Sequence, residues 1–172
     1  MKRLIHIYCG DGKGKTTACV GLTVRAAGAD LKVVFTQFLK DNKSSEIRII
    51  KDMPNVEFVP CKQSFGFFWN MTDEQKKEAR EVYNELLKQV IEKSKKADML
   101  VLDEIIATYN NNLIDREYFL NFLRNKPENL EIVMTGRNPV EELVELADYI
   151  SEIKKIKHPF DKGIDSRVGI EK

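Results

Sequence analysis

The sequence predicts an α/β fold: a doubly wound, mainly parallel six-stranded sheet with helices on both faces. Short apolar runs alternate with amphipathic or mixed runs along the 172 residues. Runs such as Met99-Leu100-Val101-Leu102 show no polar alternation, as expected of strands covered on both faces. The first apolar run passes through a glycine-rich turn straight into an Ala/Val/Leu-rich run, a strand–turn–helix unit. The length fits one domain spanning residues 1–172. With 28 Lys and Arg against 27 Asp and Glu, the net charge of +1 gives no global field towards nucleic acid or an anionic membrane. No apolar run approaches the ~20 residues that cross a bilayer. The stretch after Lys2 and Arg3 is too short for a signal peptide, so a cytoplasmic location is expected. Cys9, Cys19 and Cys61 are odd in number and lack C-x-x-C spacing, which argues against a disulfide framework or a zinc site.

Taken in order, Leu4–Tyr8 reads as the first strand, and Ala18–Ala27 as a helix ending near Gly28. Leu31–Leu39 is β-rich and reads as a second strand. Glu46–Met53 reads as a short helix stopped by Pro54, and Val56–Val59 as a third strand closed by Pro60. Thr72 and Gln75 form a capping box, after which Ala79, Val82, Tyr83, Leu86, Leu87, Val90 and Ile91 recur at helical spacing. Asp98–Asp103 is a buried strand, and Asp115 caps a helix carrying Phe119, Phe122 and Leu123. Leu130–Met134 is the fifth strand. Asn138-Pro139 supplies a cap and a first-position proline for a further helix, and Tyr149–Ile156 is a candidate sixth strand. Residues 157–172 show no periodicity.

In such sheets ligands bind at the carboxyl ends of strands, where Gly10–Thr17, Gln37, Asp103-Glu104 and Thr135-Gly136-Arg137 all fall. Gly10-Asp11-Gly12-Lys13-Gly14-Lys15-Thr16-Thr17 is a phosphate loop. Its N–H groups and the helix start present partial positive charge, Lys15 adds a full one, and Thr16 offers a hydroxyl to a magnesium ion. Cys9 stands where the general G-x-x-x-x-G-K-[ST] pattern has its first glycine. Asp103-Glu104, at the end of a hydrophobic strand, has the form of the acidic pair that holds the metal or its waters beside such a loop. Together these features indicate a P-loop NTPase fold of the RecA-like kind. An acid at Glu104 could activate water or hold metal, and spacing does not separate the two. Gly66-Phe67-Phe68-Trp69 is either a loop plug over the sheet or an aromatic wall for a large flat ligand. Arg137 is placed to meet phosphate or ribose, or is a surface arginine. Arg25 could reach back to the nucleotide, with a helix-face salt bridge as the default. His6 reads as a packed core histidine.

Together these residues resemble the ATP:corrinoid adenosyltransferases of the CobA/BtuR/CobO kind. The resemblance rests on the loop, Arg25-Ala26-Ala27-Gly28, Gln37-Phe38-Leu39-Lys40, Gly66-Phe67-Phe68-Trp69, Val101-Leu102-Asp103-Glu104, Thr135-Gly136-Arg137, and the tail Lys157–Ile164 with Gly169-Ile170-Glu171. The family also lacks the first glycine of the general loop pattern, so Cys9 fits it. Asp11 replaces an asparagine of the family and Asp41 a glycine. The resemblance implies transfer of the 5′-deoxyadenosyl group of ATP to cobalt(I) of a corrinoid, with intact triphosphate released. ATP would bind to Gly10–Thr17, Arg25 and Arg137, in reversed orientation relative to kinases. Lys15, Thr16 and Glu104 would be catalytic, and Mg2+ (or Mn2+) would sit on Thr16, Asp103 and Glu104. Phe67 and Trp69 would contact the corrinoid and displace its axial base, easing reduction of cobalt. The resemblance also implies a homodimer served by an electron donor such as a reduced flavoprotein. The rival readings are a P-loop nucleoside or small-molecule kinase, releasing ADP, and a non-catalytic module that binds ATP and corrinoid.

Overall fold

The computed structural model describes residues 2–66 and 68–171. Its centre is a six-stranded parallel sheet of β1 (Ile5–Cys9), β2 (Val33–Gln37), β3 (Val56–Val59), β4 (Met99–Asp103), β5 (Glu131–Thr135) and β6 (Tyr149–Glu152). The strand order is β3-β2-β4-β5-β1-β6. The helices are α1 (Lys15–Ala27), α2 (Ile47–Ile50), α3 (Asp73–Ser94), α4 (Ile105–Asn110), α5 (Arg116–Arg124) and α6 (Glu141–Leu146).

Both faces of the sheet are covered, which explains the unbroken apolar strands. Val33, Phe35, Met99, Val101 and Val133 pack with Cys19 and Ala26 of α1 and with Ile47 and Ile50 of α2. Val34, Leu100, Leu102, Ile132 and Met134 point the other way, into a larger core with Tyr83, Leu87 and Val90 of α3 and with Phe119 and Leu123 of α5. Successive strand side chains alternate faces, so a β4 buried along its whole length feeds both layers. β6 is the contrast. It is an edge strand exposed at every residue, and it ends at Glu152, well short of Ile156.

β5 lies between the strand that leads into the phosphate loop and the strand that ends in Asp103. α1 packs over β1, β5 and β4, and this crossing carries its first turn above the end of β4. Two further sequence expectations need correction. The helix placed at Asn138-Pro139 begins only at Glu141, after Val140. Asn138 has φ 50°, in the left-handed region, whereas a cap needs extended backbone. His6 is not a packed core residue: its ring stacks on Tyr149 at 4.7 Å and its Nε2 lies 2.5 Å from Glu131 Oε1, in a half-buried site.

Candidate functional site

The phosphate loop is shaped as much by the segment after β6 as by its own residues. Ile153 N donates to Cys9 O and Gly12 N to Ile153 O, both at 2.8 Å, and Asp11 Oδ1 accepts from Lys155 N at 3.0 Å. That N–H holds the Asp11 carboxyl below its ordinary range. A Cβ on Gly10 would lie 2.4 Å from Ile153 O, and one on Gly12 2.7 Å from the same atom. Gly10 and Gly12 are therefore packing glycines, needed where a second backbone crosses the loop. Cys9 is a different kind of residue. It is the last residue of β1, is buried, and pairs in register with Glu152, so the loop proper begins at Gly10.

Gly14 takes φ 128° and hands the chain to α1, which has no side-chain cap and no acidic residue in its first turn. Its leading N–H groups are left for a ligand. Lys15 is buried, and its Nζ donates to Gly12 O at 2.9 Å. Burial lowers its pKa, opposed by the field of Glu104. A triphosphate would replace one carbonyl oxygen with charged ones at the same ammonium.

Across the loop, Asp103 has no solvent exposure and is ringed by donors. Thr135 Oγ1 reaches Oδ1 at 2.7 Å, Gln37 Nε2 reaches Oδ2 at 3.0 Å, and Thr16 Oγ1 lies 3.1 and 3.2 Å from the two oxygens. Lys40 Nζ completes the ring at 2.7 Å from Oδ2. Burial works against the Lys40 charge, but the Asp103 carboxylate outweighs it and raises the pKa of the ammonium. Glu104, the next residue, takes φ 61° and is anchored through its N–H to Thr135 Oγ1 at 2.9 Å. Burial, and then the Asp103 charge, push its carboxyl upward. A left-handed non-glycine residue at a strand end is a costly conformation of the kind that collects at sites of function.

These residues fit a divalent cation. Thr16 Oγ1 and the Asp103 carboxylate are hard oxygen donors in contact, already drawn round a positive charge. Gln37 Oε1 beside them is buried without a hydrogen bond, an acceptor that a metal's water shell could satisfy.

Two cavities meet here. A cleft of about 240 Å³ runs over Asp11–Thr17 and is roofed by tail residues that include His158, Phe160, Arg167 and Glu171. A cavity of about 1170 Å³ is bounded by Leu39–Asp41, Ser44–Glu46, Phe68 and Trp69. Lys13, Thr16, Thr17, Glu104 and Arg137 line both. The aromatic run divides its work between core and cavity. Phe65 packs edge-on to Tyr83 and Phe68 lies half-buried beneath Lys76, whereas Trp69 is 75% exposed. Phe67 lies outside the described residues. Arg25 is not brought to either cavity. It is exposed in the last turn of α1, ten residues beyond Lys15 and so roughly 15 Å along the axis.

Sequence reasoning attached no role to Lys40 or to the roof formed by residues 158–171. The Lys40–Asp103 pair spans 63 positions and leaves no local pattern, and the tail has no periodicity to read.

The chain matches the family described as ATP:corrinoid adenosyltransferase BtuR/CobO/CobP over residues 1–171. It is 32% identical to the corrinoid adenosyltransferase of Escherichia coli (strain K12), over 98% of this chain and 85% of that protein. It is 30% identical to corrinoid adenosyltransferase CobA of Salmonella typhimurium (strain LT2), with the same two coverages. A corrinoid adenosyltransferase of Sinorhizobium sp is 34% identical, over 99% of this chain and 80% of that protein. Among solved structures, EssC (ATPases 2 and 3) from Geobacillus thermodenitrificans superposes on 98% of this chain with a TM-score of 0.50 at 16% identity. The chain spans 36% of that structure, and the likeness is one of fold, that of a P-loop NTPase. With a family match along nearly its full length, this chain belongs to the ATP:corrinoid adenosyltransferases.

Proposed function

We propose that this chain transfers the 5′-deoxyadenosyl group of ATP to cobalt(I) of a corrinoid and releases intact triphosphate. The observation that carries this reading is the junction of the two cavities. A narrow polar cleft on a phosphate loop opens, across Lys13, Thr16, Glu104 and Arg137, into a cavity large enough for a macrocycle and walled in part by Trp69. A kinase needs its second substrate at the outer phosphate. An adenosyltransferase needs a large flat one at the ribose end, which the junction meets when the nucleotide lies reversed in the loop, as the family resemblance implies.

In this reading the nucleophile is the cobalt of the substrate, so no base is required to activate water. Lys15 exchanges Gly12 O for phosphate oxygens, and with the bare N–H groups of α1 it stabilises charge gathering on the departing triphosphate. Gly10 to Thr17 form the cradle, and Arg137 faces the nucleotide from the shared wall. Mg2+ or Mn2+ would be held by Thr16 and Asp103, with Glu104 alongside, and when bound supplies positive charge against the triphosphate. Trp69, with Phe67, would cover the corrinoid face from which the axial base has left, excluding water. A homodimer, a reduced flavoprotein as electron donor and a cytoplasmic setting complete the proposal. Among the described residues, no helix is long and apolar enough to cross a membrane.

The test is an anaerobic incubation of the protein with magnesium-ATP and reduced cobalamin. A light-sensitive adenosylated product is expected. ADP in its place would mean a kinase, and no product a binding module. In the same assay, Trp69→Ala should lose much more turnover from cobalt(II) with a reductant than from pre-reduced cobalt(I). Equal losses would remove the aromatic wall from the mechanism.

A further inference from the structure

The two oxygens best placed for the divalent cation are bound to a cation of the chain's own. Lys40 Nζ lies 2.7 Å from Asp103 Oδ2 and 3.1 Å from Thr16 Oγ1, so one ammonium spans the strand-end carboxylate and the phosphate-loop hydroxyl. Asp103 is wholly buried, and a buried carboxylate needs a compensating charge. Among the described residues, Lys40 is the cation paired with it.

The backbone of the segment that carries Lys40 is anchored on either side of it. Phe38 N donates to Asp103 O at 2.8 Å. Asn42 is tied to Cys61 in both directions, with Nδ2 donating to Cys61 O at 2.8 Å and Oδ1 accepting from Cys61 N at 3.2 Å. Between these anchors the Lys40 side chain is 25% exposed, and Leu39, Lys40 and Asp41 form part of the wall of the large cavity. The ammonium therefore has somewhere to go: the same wall carries Glu46 and Glu104. Buried Gln37 Oε1, with no hydrogen bond, lies in the side chain that donates to both Asp103 and Glu46.

We propose that Lys40 is a placeholder cation: it neutralises Asp103 and blocks Thr16 until metal and triphosphate arrive together, and is then displaced into the wall of the large cavity. A metal dication and an ammonium cannot share these two oxygens at contact distance without strong repulsion. Bare metal should therefore bind poorly. Metal carried by triphosphate, which adds further ligands and the Lys15 contact, should succeed. Arrival of the nucleotide would in this way reshape the wall of the second-substrate cavity and favour nucleotide binding first. The inference rests on the reading of this site as a metal–triphosphate site, but not on which bond of ATP is broken.

The first test measures binding of Mn2+ alone by electron paramagnetic resonance, with no nucleotide, to the wild-type chain, Lys40→Met and Lys40→Arg. Lys40→Met should bind Mn2+ at least tenfold more tightly than wild type, and Lys40→Arg should stay near wild type. Equal or weaker binding by Lys40→Met, or tight binding by Lys40→Arg, would overturn the proposal. A second test needs no variant to fold well. In the 15N-lysine-labelled wild-type chain, the Nζ signal of Lys40 should survive a non-hydrolysable ATP analogue with chelator and shift when Mg2+ is added. A signal unmoved by Mg2+ with the analogue would overturn the proposal even if adenosyl transfer is found. A shifted signal without adenosyl transfer would leave it standing while refuting the proposed reaction.

Discussion

Helix α3 starts beneath a reciprocal cap between Thr72 and Gln75, with Asp73 and Glu74 in its first turn; α1 starts at Gly14 with no side-chain cap and no acid. The first arrangement satisfies orphan N–H groups inside the chain and opposes the helix dipole with negative charge, so its value is stability. The second leaves the same groups open and sets a buried lysine beside them. Its value appears only when an anion comes, and the empty protein carries the cost. The two helix starts should therefore respond differently to substitution: α1 through ligand and rate, α3 through stability.

The largest effect is expected from Lys15→Ala. It should lower the transfer rate by about 10²–10³-fold, as removal of a preorganised charge does at a developing anion. Unfolding midpoints without nucleotide should be unchanged or raised, because burial lowers the pKa of this ammonium. A large stability loss with full activity would erase the contrast between the two helices. Gly10→Ala comes next and crosses the division. Its Cβ would strike Ile153 O and its φ is 105°, so a loss of about 3 kcal/mol in denaturant unfolding is expected, with loss of ATP binding. Thr72→Ala should cost about 1 kcal/mol, a drop of roughly 2–4 °C in Tm, and leave ATP affinity as it was.

The smallest effect concerns pH. The folded-state pKa of Glu104 is raised, so the folded chain binds more protons than the unfolded one between the ordinary value and the raised one. Stability therefore falls as pH rises through that window and stays penalised above it. Glu104→Gln should then be more stable than wild type at neutral pH, with the gain fading as pH drops from the raised value to the ordinary one. Parallel Tm curves across that window would contradict it.

What the sequence made legible was whatever is written locally. The phosphate loop, the Thr72–Gln75 cap, the Asp115 cap and the unalternating strands are patterns of near neighbours, and all appear in the fold. The failures are cases where distant backbone decides. Asn138 looked like a cap until its left-handed backbone removed it, and β6 stops at Glu152 because the next residues leave the edge to hold Gly12 and Asp11. Gly10 and Gly12 were legible as loop residues, but their reason, the crossing of Ile153 and Lys154, lies more than 140 positions away. Asp103 and Glu104 were read as one acidic pair. The structure makes them unlike: the first fully buried and saturated with donors, the second left-handed and facing both cavities.

At the heart of the proposed reaction, the loop holds the whole triphosphate as a leaving group and does not cut its outer bond. Phosphorus NMR of a reaction with magnesium-ATP and cobalt(I) corrinoid tests this most directly. Triphosphate resonances should grow in equal amount to the adenosylated corrinoid; ADP with orthophosphate, or a phosphorylated acceptor in its place, would contradict it.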